Sequence, residues 1–316
     1  MVYPQVVPRQ LLRSMKDTFI SAATAARATV AYADVFDYPL TVEELSLWKL
    51  RRIVIDRNAE GVEQKNGYFF LRGRSALVLQ RQTRAVWQEH KWSIAHRAAR
   101  WLSLIPTIQL VGVTGGLAMN NARAEDDIDL FLVAAPSTIW ISRLLSIVFM
   151  QLLGLRRRPG EKDVVNKVCL NMFMSPRSTK LPFWGLDIPV GDRDCFSAHE
   201  VLQMRPLWEQ PGVYRKFLYS NQWTRAYLPA AWNEKLKYIV PAAHRTPLVV
   251  EYLFRICEYP AKKVQLWYMR NRRTKETITD TMLRFHPKDA RVWVKRKFAS
   301  RLARFGIPLD KIFYSS

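Results

Sequence analysis

The stretch Thr114 to Val133, TGGLAMNNARAEDDIDLFLV, decides how the rest of the chain reads. Its two glycines close an apolar, β-branched run, Thr107 to Val113, and Asp-Ile-Asp opens a second run, Ile128 to Val133. Such runs, bounded by turn residues, have the texture of strands buried on both faces. Residues two apart on a strand share a face and lie about 6.5 to 7 Å apart along the chain. Asp127 and Asp129 therefore project together, and at an effective dielectric near 20 their charges repel by about 2 kcal/mol. A positive group is expected between them. A hard cation fits, because Mg²⁺ takes one or two carboxylates together with substrate phosphates. Asp126 points to the opposite face of the strand, and with Glu125 it reads as part of the preceding loop.

The glycines supply a second element. Gly115 and Gly116 precede an expected short helix, Leu117 to Asn121, so bare backbone N–H groups become available to a phosphate that no side chain holds off. A phosphate cradle and metal-binding acids on adjacent strands make a site suited to in-line attack on a nucleotide α-phosphate.

Working outward, the strand texture returns in Val168 to Met174. Between the second and third strands lies an apolar helix, Ile139 to Leu155, followed by the basic loop LRRRPGEKD. That helix is interrupted by Arg143 and Gln151 and is shorter than a membrane span requires. It reads as buried, with peripheral membrane contact the alternative. Ala76 to Leu104 is a long helical region rich in Arg, Lys and Trp. Upstream, Ser21 to Ala33 is helical in pattern, Thr41 and Glu44 form a capping box, and Asn66-Gly67 suits a type I′ hairpin. That order is the order of a winged-helix module, whose use could be DNA reading, RNA contact or packing alone. From about Ser197 onward the pattern is helical, with prolines as breaks. The expected fold is α+β: a small mixed-sheet core, residues 76–196 with its preceding helix, between a winged-helix-like module, 1–75, and a basic helical region, 197–316.

The combination resembles the nucleotidyltransferase superfamily that includes DNA polymerase β, CCA-adding enzymes, poly(A) polymerases and kanamycin nucleotidyltransferase. The family pattern is a hydrophobic residue, Gly, Gly or Ser, roughly ten spacer residues, then Asp, hydrophobic, Asp, hydrophobic. Here Thr114 stands at the hydrophobic position, followed by Gly115, Gly116, the spacer Leu117 to Asp126, and Asp127, Ile128, Asp129, Leu130. The wider arrangement, with FDYPLT, GYFFL, CLNMF, and AHEVLQMRPL ahead of NQW, also looks like prokaryotic nucleotidyltransferase-domain proteins that carry an N-terminal winged helix. The resemblance implies transfer of NMP from an NTP, ATP being the expected one, with Mg²⁺ or Mn²⁺ held by Asp127 and Asp129. It places the triphosphate on Thr114, Gly115 and Gly116, with Arg123 or Lys167 neutralising phosphate charge.

One family feature is missing. Many members carry a third acid on a later strand, and the matching strand, KVCLNMFM, has none. Asn171 takes the best-placed position, alternating with Cys169 and Phe173; it offers a carbonyl ligand but cannot act as a base. Glu161, Asp163, Asp187 and Glu200 are the candidate substitutes, each weighed against an ordinary surface acid, and His199 reads as a packing residue.

The whole chain has 316 residues and 49 Lys or Arg against 27 Asp or Glu, a formal charge of +22. Such a balance attracts polyanions, either nucleotides and nucleic acid or an anionic membrane surface. Lys262 to Arg304 holds fourteen Lys or Arg against three acids, with Trp267, Tyr268, Phe285, Trp293 and Phe298 interleaved. RNA or DNA could follow this surface, and a nucleic-acid-binding protein without catalysis is the alternative function. Those aromatics read as buried helix stripes. Three cysteines without metal-ligand spacing, no secretory signal and no membrane-spanning stretch point to a reducing, cytoplasmic setting.

Overall fold

The three branched apolar runs pair side by side at the centre of a six-stranded sheet in the computed structural model, which describes residues 21–50, 56–176, 186–189, 192–238, 248–270, 277–285 and 290–313. They are β4 (Ile108–Val113), β5 (Ile128–Ala134) and β6 (Val168–Met174). β5 is antiparallel to β4 and parallel to β6. The parallel pair needs a crossover, which α5 (Ile139–Leu152) provides, as a βαβ connection requires. The first three elements of the chain around the site thus match their expected bounds within a few residues.

The sheet does not end there. β7 (Arg205–Glu209) adds beside β4, and β9 (Met282–Arg284) with β8 (Thr277–Ile278) extends the β6 side, giving the order β7-β4-β5-β6-β9-β8. The expectation of a purely helical region beyond residue 196 is therefore corrected: three of the six strands come from it. These strands are short and two to five residues long, so their periodicity is lost among the neighbouring helices, and only the pairing edges of β4 and β6 make them strands.

Helices cover both faces. On one side Val111, Val113, Ile128, Leu130, Leu132 and Phe173 pack against α3 (Ala76–Leu102), α5 and α10 (Glu258–Met269). On the other, Leu110, Phe131, Val133 and Met174 share a core with α1 (Ala22–Asp34), α6 (Cys195–Gln203) and α11 (Ala290–Ala303). One core therefore joins α1 to α11. An ion triad reinforces the join: the buried carboxylate of Asp34 accepts from Arg74 Nε at 3.0 Å and from Arg301 Nε at 2.9 Å.

The N-terminal module keeps part of its expected order. α2 (Val42–Leu47) starts at a complete capping box on Thr41 and Glu44. β2 (Val62–Lys65) and β3 (Tyr68–Leu71) form the hairpin, with Asn66 and Gly67 at φ 51 and 80. β1 (Leu40–Thr41) joins β3 to make a separate three-stranded sheet. Among the described residues no helix lies between α2 and β2, which is where a winged helix carries its recognition helix; residues 51–55 lie outside them. The other described α-helices are α4 (Gly115–Ala118), α7 (Val213–Ser220), α8 (Pro229–Lys237), α9 (Leu248–Ile256) and α12 (Asp310–Phe313), and a 3-10 helix spans Gln222–Ala226. No described helix is long and apolar enough to cross a membrane.

Candidate functional site

β5 carries Asp129 within its pairing and Asp127 just ahead of it, and the strand geometry does what its period dictates. The carboxylates of Asp127 and Asp129 and the thiol of Cys169 offer ligand atoms that all lie within 4.8 Å of one another. Cys169 arrives by register, being the β6 partner of Asp129 across the parallel pair. Its thiol lies beside the Asp129 carboxylate.

Gly115 closes over the same carboxylate. It has φ +65, a left-handed conformation that glycine accepts without steric cost, and an ideal Cβ built on it would stand 2.9 Å from Asp129 Oδ2. Thr114, extended at the start of α4, donates its backbone N–H to the Asp129 carbonyl at 3.0 Å. The turn and the acid are thus locked together through main chain on one side and close approach on the other. Gly116 accepts at its carbonyl from Asn121 N–H at 2.8 Å, which folds the loop back on itself.

The loop from Asn121 to Asp126 rests on a buried polar stripe of α3. Arg84, Gln88 and Lys91 sit four and three residues apart on one helix face, and all are buried. Arg84 Nη1 donates to Asn121 Oδ1, and Gln88 Nε2 to the Ala122 carbonyl at 2.9 Å. Lys91 Nζ donates to the carbonyls of Ala124 and Asp126, at 3.1 and 2.5 Å, and to Asn166 Oδ1 at 3.0 Å. A buried ammonium with three acceptors is satisfied, although burial still lowers its pKa against the opposing pull of Asp126 and Asp127. These three residues were not expected at the site. Their helical spacing was visible, but a polar stripe ordinarily reads as a solvated face.

The electrostatics are those of a site short of positive charge. Burial first, then the Asp127 charge, push Asp129 up to about 7, with Glu200 adding to the rise and Arg157 and Cys169 opposing it. Burial alone raises Glu200 to about 7. The Cys169 thiol is pushed far above its ordinary value by burial and by the two aspartates, so it stays protonated. Arg157, from the loop after α5, reaches Asp127 Oδ2 with Nη1 at 2.6 Å. Part of the expected positive charge is therefore this side chain, and its place in the basic loop gave no sign of it.

Other expected residues fall elsewhere. Asn171 does not alternate with Cys169 and Phe173, because the β5–β6 register shifts between Leu130 and Phe131. The shift puts Phe173 in the core on the far side of the sheet from Asp129 and leaves Asn171 at the bulge, its Oδ1 buried without a hydrogen-bond partner among the described residues. Arg123 is exposed, its guanidinium 4.0 Å from both Asp37 and Glu125. Lys167 Nζ donates to the Gly154 carbonyl. Asp126 accepts from Arg123 N–H at 2.8 Å, a loop bond. Glu161, Asp163 and Asp187 are held in local contacts with Arg158, Val165 and Arg193. Glu200 differs from them: it lies on α6, which packs against α4, and its charge is felt at Asp129. His199 is buried, stacked on Tyr32 at 3.8 Å, and bonded through Nδ1 to the Cys195 carbonyl at 2.8 Å. Burial lowers it to about 4, which makes it a neutral packing residue as expected.

The donor set fits a hard cation in part. Two carboxylates with unbalanced negative charge suit Mg²⁺ or Mn²⁺, and a protonated, soft thiol does not. Arg157 would have to yield its hold on Asp127. No protein-family model, curated protein or solved structure matches this chain.

Proposed function

We propose that the chain is a metal-dependent nucleotidyltransferase that moves NMP from an NTP, ATP being the expected one, to an acceptor. A single observation carries this reading: Gly115, left-handed and without a Cβ, lies directly over the Asp129 carboxylate while Asp127 converges from two residues upstream. A turn of that kind leaves backbone free to approach phosphate oxygens, and the acids beside it account for a cation that the phosphates also touch. Asp127 and Asp129 would hold Mg²⁺ or Mn²⁺, which supplies charge neutralisation at the α-phosphate.

The chain's own groups take the remaining roles. Gly115 and Gly116 receive the triphosphate, and Arg157, displaced from Asp127 by the cation, is within reach to neutralise phosphate charge. In the transfer an acceptor oxygen bonds to the α-phosphorus, the bond to the bridging oxygen breaks, and pyrophosphate leaves. The acceptor proton needs a base, and Glu200, raised to about 7 and felt at Asp129, suits that role better than Asn171.

Thermal stabilisation tests the reading. Mg²⁺ with ATP should raise the melting temperature of the wild type, since a ligand at a hundredfold excess over its Kd adds about 2.7 kcal/mol, and should leave Asp127→Ala unmoved. Equal shifts in both proteins, or none with any NTP, would count against it. Incubation with each α-labelled NTP and fractions of RNA, protein and small molecules would then identify the acceptor by which one becomes labelled.

A second reading is favoured by the Arg157–Asp127 ion pair and by the lack of an acid on β6. In it the site has lost transfer chemistry, and the basic chain binds nucleic acid. Binding to RNA or DNA would then fall steeply with salt and be indifferent to Asp129→Asn.

A further inference from the structure

We propose that the outer face of α9 and α10 is a docking surface for a lipid bilayer that bears anionic headgroups. The inner face of α10 is tightly held. The Glu258 carboxylate caps α5 by accepting from the backbone N–H of Trp140 and Ile141, at 2.9 to 3.1 Å. Gln265 Nε2 donates to the Trp140 carbonyl at 2.8 Å and Gln265 Oε1 accepts from Arg143, while Ala261 and Met269 are buried. The orientation of α10 is therefore fixed, and what it turns outward is not a consequence of loose packing.

What it turns outward is apolar. Tyr252, Leu253 and Ile256 on α9, and Tyr259, Val264 and Trp267 on α10, are each more than half exposed. On α9 they recur at the three- and four-residue spacing of one helical stripe. The two stripes meet at the junction, where Ile256, Cys257, Tyr259 and Pro260 are all exposed. Single exposed apolar residues are ordinary, but six of them on two consecutive helices mark an interaction surface.

Charge and chemistry select the occupant. Lys263 places its ammonium 4.8 Å from the centre of the Tyr259 ring, and Arg270 its guanidinium 5.7 Å from that of Trp267. Both are exposed. Glu258 faces inward, and the Asp280 carboxylate near this face is paired with Lys262 at 3.0 Å. Aliphatic residues beside Tyr and Trp, rimmed by Lys and Arg, form the composition of a helix lying at the headgroup boundary, where aromatic rings are favoured and cations meet anionic lipid. Base stacking would use the aromatics but leave Leu253, Ile256 and Val264 without a role. The chain's charge of +22 adds long-range attraction to the same surface. The proposal is independent of any nucleotide chemistry at Asp127 and Asp129.

Co-sedimentation of the full chain with vesicles tests it. At about 0.15 M salt, where surface charge is well screened, vesicles of phosphatidylcholine with phosphatidylserine should pellet the wild type, and phosphatidylcholine alone should not. The outward-facing double variant Leu253→Ser/Trp267→Ser should bind roughly tenfold or more weakly, the loss expected from removing two buried apolar anchors. Leu79→Ser, an equally exposed residue on α3, should bind as the wild type does, and circular dichroism should show all variants folded. Equal binding of wild type and double variant would reduce the effect to general adsorption of a basic protein and overturn the proposal. So would failure to pellet with anionic vesicles, whether or not the double variant loses self-association or RNA binding.

Discussion

Two helical faces of this molecule invert the ordinary distribution of polar and apolar residues, and they do so for different reasons. The face of α3 that carries Arg84, Gln88 and Lys91 is polar and buried; the outer face of α9 and α10 is apolar and exposed. On α3 Arg84, Gln88 and Lys91 donate to carbonyls and an amide of the 121–126 loop and to Asn166, which fixes a loop that local chain preference alone would leave free, although Arg84 Nη2 and Gln88 Oε1 stay buried without a hydrogen-bond partner among the described residues. On α9 and α10 the described residues leave Leu253, Ile256 and Val264 more than half exposed, and Lys263 and Arg270 lie over the rings of Tyr259 and Trp267. Buried polarity that finds partners positions a site, whereas exposed apolarity without them indicates contact with something outside the chain.

The largest effect should follow from breaking the first face. Lys91→Met removes three hydrogen bonds from a buried ammonium to part-buried acceptors and should lower the unfolding free energy by about 3 kcal/mol, measured by urea denaturation. If the loop carbonyls were instead satisfied by water, the loss would be within the ordinary surface range.

Acid should act next. His199, buried and lowered to about 4 in the folded chain, stays neutral there, while the unfolded chain takes up a proton near 6.5. Its folded pKa lies below its unfolded one, so the His199 contribution is complete above about 6.5 and is lost as pH drops towards 4, by up to about 3 kcal/mol. Asp129 and Glu200, raised to about 7, act in the opposite sense over the same range. The histidine contribution is therefore read as the difference between wild type and His199→Phe in denaturation at stepped pH, which should shift against the wild type as pH falls from about 6.5 to about 4. A difference that does not change with pH would overturn it.

Gly115 offers a smaller and sharper test, because Gly154 has nearly the same left-handed angle, φ +66, with open space around it. Ala at either position should cost about 1 kcal/mol or slightly more in backbone strain. Ala at 115 should in addition displace the Asp129 carboxylate and abolish stabilisation by Mg²⁺ with ATP, which Gly154→Ala should keep. The smallest effect belongs to the second face. Trp267→Ser should change folding stability by less than about 0.5 kcal/mol, as thermal melting in the absence of lipid would show; a large loss would mean that this side chain packs within the fold.

The aromatics of the basic C-terminal stretch divide along the same lines. The expectation that all are buried helix stripes holds for Phe298, which is fully buried on α11, and in part for Trp293 on the same helix; Phe285 packs partly into a core but follows β9 and lies on no helix. It fails for Trp267 and Tyr268, both more than half exposed. Helical spacing alone says that a stripe exists, and it does not say what lies against it.

Around the site, the sequence by itself determined what depends on neighbours along the chain. The strand period put Asp127 and Asp129 together, branched apolar runs made β4, β5 and β6, and paired glycines supplied the left-handed turn beside Asp129. Tertiary structure alone decided what depends on register and burial. It set Cys169 opposite Asp129, took Asn171 out of alternation at a bulge, brought Arg157 onto Asp127, and recruited β7, β8 and β9 to the edges of the sheet. The physical reason is that periodicity and backbone chirality act over a few residues, whereas pairing, desolvation and charge compensation are set by groups tens to hundreds of positions away in the chain.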